Sequence, residues 1–180
     1  KKTKRVIAVA NTLAASGAYW IPSAAHEIVA SPSAELGSIG VFMLHEDISR
    51  QLDADGVTIT MIREPAAKAE ANPFEPLSDE ARTDLQAKVH AVYVEFVRQV
   101  AKGRGVSQAT VHERFGAGRT LSAEAALEVG MIDRIATLHD VLRELGHRAS
   151  PVDGRSAEAQ RLAQETMLSD EAALVAALAE

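Results

Sequence analysis

Several short segments of this chain are apolar or β-branched at nearly every position, and this pattern constrains the fold more than any other feature. A strand with one face in water alternates apolar and polar residues, so segments without alternation indicate strands covered on both faces. Five such strands are predicted, at 6–10, 28–31, 39–44, 57–62 and 131–135. Segments that permit helices separate them, at 17–27, 46–54, 79–103, 108–114, 123–129 and 138–145. This alternation predicts an α/β fold with a mostly parallel sheet.

The longest predicted helix has the clearest signals at its start and along one face. Ser78 is a good N-cap residue, and Asp79 and Glu80 suit the positive end of the helix dipole in the first turn. Apolar residues then recur three or four positions apart, which places them on one face. They are Ala81, Leu85, Val89, Val92, Phe96 and Val100, and the helix is predicted to end near Gly103.

The composition excludes several classes of protein. The chain has no cysteine, which rules out disulfides, a thiolate nucleophile and cysteine-ligated metals, and we predict no metal or other cofactor. Its net charge of −6 argues against a nucleic-acid partner. No apolar run approaches the length of a membrane-spanning helix. Because 47% of the residues are hydrophobic but only 4% aromatic, the core is predicted to be mostly aliphatic.

The two ends of the chain suggest how it is organised. It opens at Lys1 without a methionine, and a strand is predicted five residues later, so we expect a piece of a longer polypeptide in which the N-terminal part of the domain is missing. A turn signal at 150–154 then separates a domain at 1–150 from an acidic helical tail at 151–180.

Ser16 is the first candidate for chemistry, since it lies between a predicted strand and a predicted helix, among small residues. A serine in such a place presents its hydroxyl at a sharp turn, and the N–H of the next residue can stabilise an oxyanion. The same position also suits a serine that only caps the helix, and the local sequence by itself favours the cap.

A serine nucleophile needs a base, and the sequence offers two. His45 lies two residues before Asp47, which would make a Ser16–His45–Asp47 triad. Lys68 lies in an irregular, proline-flanked stretch between alanines. Small apolar neighbours disfavour the charged form of a lysine, which allows it to act as a base. A solvated loop lysine is the plainer interpretation.

Motifs in a fixed order run through the chain, at 14–20, 24–30, 37–41, 45–49, 68–78, 118–120, 125–127 and 130–133. The first reads Ala-Ala-Ser-Gly-Ala-Tyr-Trp. In order and spacing they resemble the SppA-type signal peptide peptidases, and within that family they look closest to the phage and prophage enzymes that mature capsids. The resemblance covers about residues 5 to 145.

The resemblance implies a Ser/Lys dyad, with Ser16 as the nucleophile and Lys68 as the base. Ser38 matches a serine that would hold the lysine amine in place, and the Gly17 N–H would be one oxyanion donor. The implied fold is the ClpP/crotonase-like α/β spiral, which assembles into homo-oligomeric rings or domes. The second oxyanion donor would belong to the missing N-terminal part.

We therefore expect a serine endopeptidase that cuts protein or peptide substrates after small or apolar residues. Its role would be phage scaffold and capsid maturation or signal-peptide degradation, and a cytoplasmic location is favoured over a membrane-anchored one. The alternative is a non-catalytic assembly or binding module on the same fold. A crotonase-type acyl-CoA enzyme is a third hypothesis.

Overall fold

The computed structural model describes residues 4–146 of the chain. The chain divides into two compact units, at 1–138 and 139–180. The strands described below belong to the first unit. In the second, the described residues 139–146 form most of a helix, Leu138–Glu144, and the turn that ends it. The predicted tail at 151–180 and its boundary lie outside the described residues and remain predictions.

Two three-stranded sheets carry the first unit. One has the order β1–β3–β6, with β1 at Ile7–Ala10, β3 at Glu27–Ala30 and β6 at Arg134–Ile135, and both of its pairings are parallel. The other has the order β2–β4–β5, with β2 at Leu13–Ala15, β4 at Glu35–Gly37 and β5 at Thr120–Ser122. Here β2 and β4 are parallel, and β4 and β5 are antiparallel. The expected α/β class with mostly parallel strands is confirmed.

Two of the predicted strands, at 39–44 and 57–62, are wrong. Neither segment pairs with another part of the chain between residues 4 and 146, and most of their large apolar side chains are exposed, although Ile39 is buried in the core. Phe42 is 90% exposed and Ile62 is 95% exposed. A β-branched or apolar sequence favours a strand only when a neighbouring strand supplies hydrogen bonds and a packing surface.

The helices mostly start where a serine can cap them. The helices are α1 Gly17–Ser23, α2 Ser49–Ala54, α3 Asp79–Arg104, α4 Gln108–Arg114, α5 Ala123–Glu128 and α6 Leu138–Glu144. Ser78, Ser107 and Ser122 each accept a backbone N–H from the residue three positions on, at 3.1, 3.0 and 3.3 Å. A short 3₁₀ turn, Ala66–Ala69, lies between α2 and α3. The prediction for α1 was too long, because β3 already begins at Glu27.

The core forms where the C-terminal half of α3 crosses α1. Phe96 is buried, and its ring stacks on Trp20 of α1 with centroids 4.4 Å apart. Gly103 lies so close to α1 that a Cβ there would be 2.1 Å from the Ser23 carbonyl oxygen. The predicted continuous buried face of α3 is interrupted before Phe96, since Leu85 and Val89 are only half-buried and Val92 is 47% exposed.

A partly buried polar cluster joins α1, α3 and β3 to the loop before β6. Arg104, whose side chain is 8% exposed, donates to both carboxylate oxygens of Asp133 at 2.8 and 3.1 Å. Burial of Asp133 opposes its ionisation, but hydrogen bonds from Arg104 and from the Ile28 N–H outweigh it and hold the pKa of the carboxyl below its usual range. Burial raises the pKa of Tyr19, whose hydroxyl donates to the Met131 carbonyl at 2.8 Å.

The close crossing of α1 and α3 predicts that Gly103→Ala destabilises the protein. Helix propensity alone would make alanine more favourable by about 1 kcal/mol, whereas crowding against a backbone carbonyl costs about 1–3 kcal/mol. Urea unfolding measures the net change. The control is Ala91→Gly, the reverse exchange at an exposed position of the same helix, which reports propensity alone. A gain in stability for Gly103→Ala would contradict the crossing.

Candidate active site

Ser16 has a backbone conformation that serine rarely adopts. It lies between the end of β2 and the start of α1, with φ 54° and ψ −127°. Such a conformation costs about 1–3 kcal/mol and persists only where the surroundings enforce it. Here the Ser16 N–H donates to the Gly37 carbonyl at 2.7 Å, and its own carbonyl accepts the N–H groups of Tyr19 and Trp20 at 2.9 and 3.0 Å. Hydrogen bonds of both the N–H and the carbonyl of Ser16 therefore maintain its strained conformation.

The Ser16 hydroxyl does not cap helix α1. Ser16 occupies the N-cap position of α1, but its side chain accepts no capping hydrogen bond, and the residue is exposed. This contrasts with Ser78, Ser107 and Ser122, which cap their helices with the side-chain oxygen. The interpretation of Ser16 as a mere cap therefore fails, and its hydroxyl is available for chemistry.

Ser38 comes to lie beside Ser16 because of the parallel register. Ala15 of β2 pairs with Gly37 of β4, so the residues after them, Ser16 and Ser38, leave the same end of neighbouring strands. Ligands of α/β proteins bind at the carboxyl ends of parallel strands. Ser38 also has a positive φ, 50°, and is half-buried. The structure thus brings together two of the serines that the sequence singled out.

A tight turn at 116–119 supports Ser38. The Arg119 carbonyl accepts the Ser38 N–H at 2.8 Å. Two glycines lie against this carbonyl: a Cβ on Gly116 would be 2.3 Å from the oxygen, and a Cβ on Gly37 would be 2.8 Å from it. Sequence reasoning treated Gly118 and Arg119 only as a motif and missed this support. The available signal was the spacing of the two glycines in Gly-Ala-Gly-Arg, which favours left-handed backbone.

Gly17 lies where an oxyanion donor would be useful. It is the first residue of α1, so its N–H has no partner within the helix. Among residues 4–146 this N–H makes no other backbone hydrogen bond either. A Cβ on Gly17 would meet no atom within 4 Å, so the space next to this backbone is open.

Lys68 lies apart from the serines. It belongs to the 3₁₀ turn Ala66–Ala69 and is exposed, and within the described part of the chain its ammonium makes no hydrogen bond or ion pair. The structure therefore does not join Lys68 to Ser16 or Ser38. The predicted dyad stays a prediction.

The structure does not assemble the alternative triad, since His45 and Asp47 are both hydrogen-bonded elsewhere. His45 Nε2 lies 3.0 Å from the carbonyl oxygen of Asn72, and Asp47 Oδ1 accepts the Ser49 N–H at 2.9 Å. Hydrogen bonds from the Ser49 side chain and backbone hold the pKa of Asp47 below its usual range. Neither residue is oriented by the other or contacts Ser16.

Within residues 4–146, no group of three or more histidine and carboxylate side chains is arranged to hold a metal ion. None of the helices in that same range combines the length and the apolar character that crossing a membrane requires.

The turn around Ser16 has the form of a nucleophile turn, in which a strained serine between a strand and a helix exposes its hydroxyl, as in several classes of serine hydrolase. Comparison with known families makes this more specific. The model of peptidase family S49 matches residues 1–152. The chain belongs to peptidase family S49, a family of serine peptidases.

The chain is also similar to individual proteins. It is 31% identical to capsid assembly protease C of Escherichia phage lambda over 139 residues, which are 77% of this chain and 31% of that protein. The chain spans less than half of the length of the first curated relatives that it matches.

Two solved structures are similar in fold at low sequence identity. One is a mutant of a membrane-bound stomatin-specific protease, with a TM-score of 0.46, 17% identity, and coverage of 78% of this chain and 55% of that one. The other is a mutant of ClpP1 from Listeria monocytogenes, with a TM-score of 0.45, 15% identity, and coverage of 77% and 60%.

The support of Ser38 by the 116–119 turn predicts unequal effects for two glycine variants. Gly116→Ala and Gly118→Ala both place a Cβ at positive φ, which costs about 1–2 kcal/mol. Only the first pushes against the Arg119 carbonyl, since Gly118 faces open space. Hydrogen exchange should therefore show the Ser38 amide losing protection by at least about tenfold, or roughly 1.4 kcal/mol, in Gly116→Ala alone. Equal protection in both variants would contradict the support.

Proposed function

We propose that this chain carries the Ser/Lys dyad of a serine endopeptidase, with Ser16 as the nucleophile and Lys68 as the base. The proposal rests on Ser16, which follows β2 in a strained backbone conformation, is exposed, and does not use its side chain to cap α1. Strained backbone of this kind clusters at active sites, where it is part of the mechanism. Membership of peptidase family S49 supports the choice of reaction.

Acylation follows from these roles. Ser16 Oγ attacks the carbonyl carbon of the scissile peptide bond, while the neutral amine of Lys68 takes the hydroxyl proton. The oxygen of the carbonyl becomes an oxyanion, to which the Gly17 N–H donates. The C–N bond then breaks, and the leaving amine takes the proton from Lys68. Ser16 remains as an acyl ester.

Deacylation repeats the steps with water as the nucleophile. Lys68 takes a proton from the water, which attacks the ester carbonyl, and then returns the proton to Ser16 Oγ as the ester bond breaks. Ser38, which follows the neighbouring strand β4, would hold the lysine amine in place. No cofactor takes part in either half of the reaction.

The substrate class follows from the family and from the relatives. A protein or peptide segment in extended form, cut after a small or apolar residue, suits a nucleophile among small residues. The similarity to a phage capsid assembly protease supports scaffold and capsid maturation in the host cytoplasm. Degradation of signal peptides is the other role that the SppA resemblance supports.

Self-association is part of the proposal. The segments at 39–44 and 57–62 expose large apolar side chains, among them Phe42, Leu44 and Ile62. Apolar side chains grouped on a surface commonly mark contacts with another chain. A homo-oligomer of the ring or dome type would cover them.

A second candidate function is a non-catalytic assembly or binding module on the same fold. The observation that favours it is the separation of Lys68 from both serines within the described part of the chain. In this alternative the strained turn would be retained for binding alone, and Ser16 would have no base.

Covalent labelling of the full-length protein with a fluorophosphonate separates the two candidates. Ser16 Oγ forms the new O–P bond, fluoride leaves, and Lys68 takes the proton, so labelling needs both residues. We expect no labelling of Ser16→Ala and slowing by about 10²–10⁴-fold in Lys68→Ala. Lys102→Ala, at an exposed lysine on α3, is the matched control and should label like the parent protein.

The pH dependence of the labelling rate gives a second readout of the base. A lysine base predicts a labelling rate that rises with pH, and Lys68→Ala should abolish this rise. A rise centred near 6.5, about the value of a free imidazole, would instead indicate a histidine. An unlabelled full-length protein would count against the dyad and for the binding module.

A further inference from the structure

We propose that Asn72 is a positioning residue for Lys68. The inference rests on the proposed dyad and concerns how the chain holds its base in place. Lys68 has a long, flexible side chain on an exposed 3₁₀ turn, so its useful placement depends on how firmly that turn is fixed. The contacts that fix the turn converge on the side chain and the carbonyl of Asn72.

The Asn72 side chain bonds to the C-terminal end of the 3₁₀ turn that carries Lys68, which is called the lysine turn below. Its Nδ2 donates to the Ala69 carbonyl at 2.8 Å, one residue after Lys68. Within the turn itself, the backbone bonds run from Lys68 N–H to Pro65 and from Glu70 N–H to Ala67, at 3.0 and 3.2 Å. A turn this short leaves carbonyls without internal partners. The Asn72 amide supplies a partner at the position next to the lysine.

The same side chain also stabilises the reversal that follows the turn. Its Oδ1 accepts the Phe74 N–H at 2.8 Å. Ala71, between the turn and Asn72, has a positive φ of 59°, which is unfavourable for a residue with a Cβ. Asparagine side chains commonly bond to backbone two residues on and stabilise turns in this way. The hydrogen bonds of Asn72 on both sides of its own backbone offset the strain at Ala71.

Through Glu75, which is ion-paired with Arg63, Asn72 is connected to the segment before the turn. Glu75 Oε2 accepts from Arg63 Nη1 at 2.5 Å and from Asn72 Nδ2 at 3.3 Å. Arg63 precedes the lysine turn and Glu75 follows it, so the pair closes the loop that carries Lys68. The hydrogen bonds from Arg63 and Asn72 hold the pKa of Glu75 below its usual range.

The backbone of Asn72 links this loop to the segment that follows Ser38. Its carbonyl oxygen lies 3.0 Å from His45 Nε2, and the carbonyl of the next residue, Pro73, accepts the Ile48 N–H at 2.9 Å. His45 and Ile48 follow Ser38 in the chain by seven and ten residues. Asn72 thus lies where the loop that carries Lys68 contacts the segment that follows Ser38.

A role through Lys68 and a merely local structural role give different results in a double-mutant cycle. If Asn72 acts by placing Lys68, its loss should matter only while Lys68 is present. If Asn72 only stabilises the loop, or affects Ser16 by another route, its effect on labelling should not depend on Lys68.

The experiment measures fluorophosphonate labelling of Ser16 in the full-length protein, at a temperature below the unfolding transition. We expect Asn72→Ala to lower the maximal labelling rate by at least about tenfold, with little change in the reagent concentration needed for half of that rate. In the Lys68→Ala background, Asn72→Ala should add no further loss. Asn11→Ala, which removes a side-chain bond to Ser31 elsewhere, is the matched control and should label normally.

Asn72→Asp serves as the second variant. It keeps an oxygen that can accept the Phe74 N–H but loses both donor contacts and places a carboxylate next to Glu75. It should therefore label as slowly as Asn72→Ala. Arg63→Gln, which breaks the ion pair but leaves Asn72 intact, should give a smaller loss.

Three outcomes would overturn the inference, and they are distinguishable from one another. Normal labelling of Asn72→Ala and Asn72→Asp together with slow labelling of Lys68→Ala would remove the role of Asn72 and leave the dyad standing. An equal loss from Asn72→Ala with and without Lys68 would show that Asn72 acts independently of the lysine. Absence of labelling in the parent protein, or normal labelling of Lys68→Ala, would overturn the dyad and the inference together.

Discussion

The site depends on one backbone pairing, the parallel register of β2 on β4. Ala15 lies opposite Gly37, and the ladder continues one step further through the Ser16 N–H, which donates to the Gly37 carbonyl. This last bond fixes a serine in a conformation that it would not adopt alone. The turn at 116–119 fixes Ser38 through the Arg119 carbonyl. Three neighbouring backbone segments thus define where both serines lie.

This pairing is followed directly by α1, which is packed against the core. Residue Tyr19 of α1 is fully buried and bonds to the Met131 carbonyl, and Trp20 stacks on Phe96. Loss of either contact would free the N-terminus of α1 and with it the strained serine. The ion pair between the largely buried Arg104 and the exposed Asp133 orders the loop that contains the acceptor of Tyr19, since Arg104 also donates to the Gly130 carbonyl. The geometry around Ser16 therefore depends on the packing of the core.

The elements with long or local sequence patterns could be predicted from the sequence. The features that depend on contacts with distant parts of the chain could not. β1, β3 and α3 have several consecutive signals each, and they lie close to where they were expected. Strands of three residues, such as Leu13–Ala15, are too short for a periodic signal. The Arg119 carbonyl is invisible in sequence, because every residue has one. The residues around Ser16 mark it as a candidate nucleophile in the sequence. Only the structure shows that its side chain makes no capping hydrogen bond to α1.

The exposed turn that carries Lys68 has a consequence for how such a chain tolerates change. Ser16 is held by backbone hydrogen bonds next to a close-packed core, where almost any substitution is felt. The lysine turn is held by polar side chains near water, where each bond is worth only about 0.5–1.5 kcal/mol to folding. A substitution at Asn72 or Arg63 is therefore expected to cost less folding stability than one that disturbs the backbone around Ser16. In the proposed dyad, the nucleophile is thus fixed by the fold itself, whereas the base lies on a turn that contributes little to folding stability.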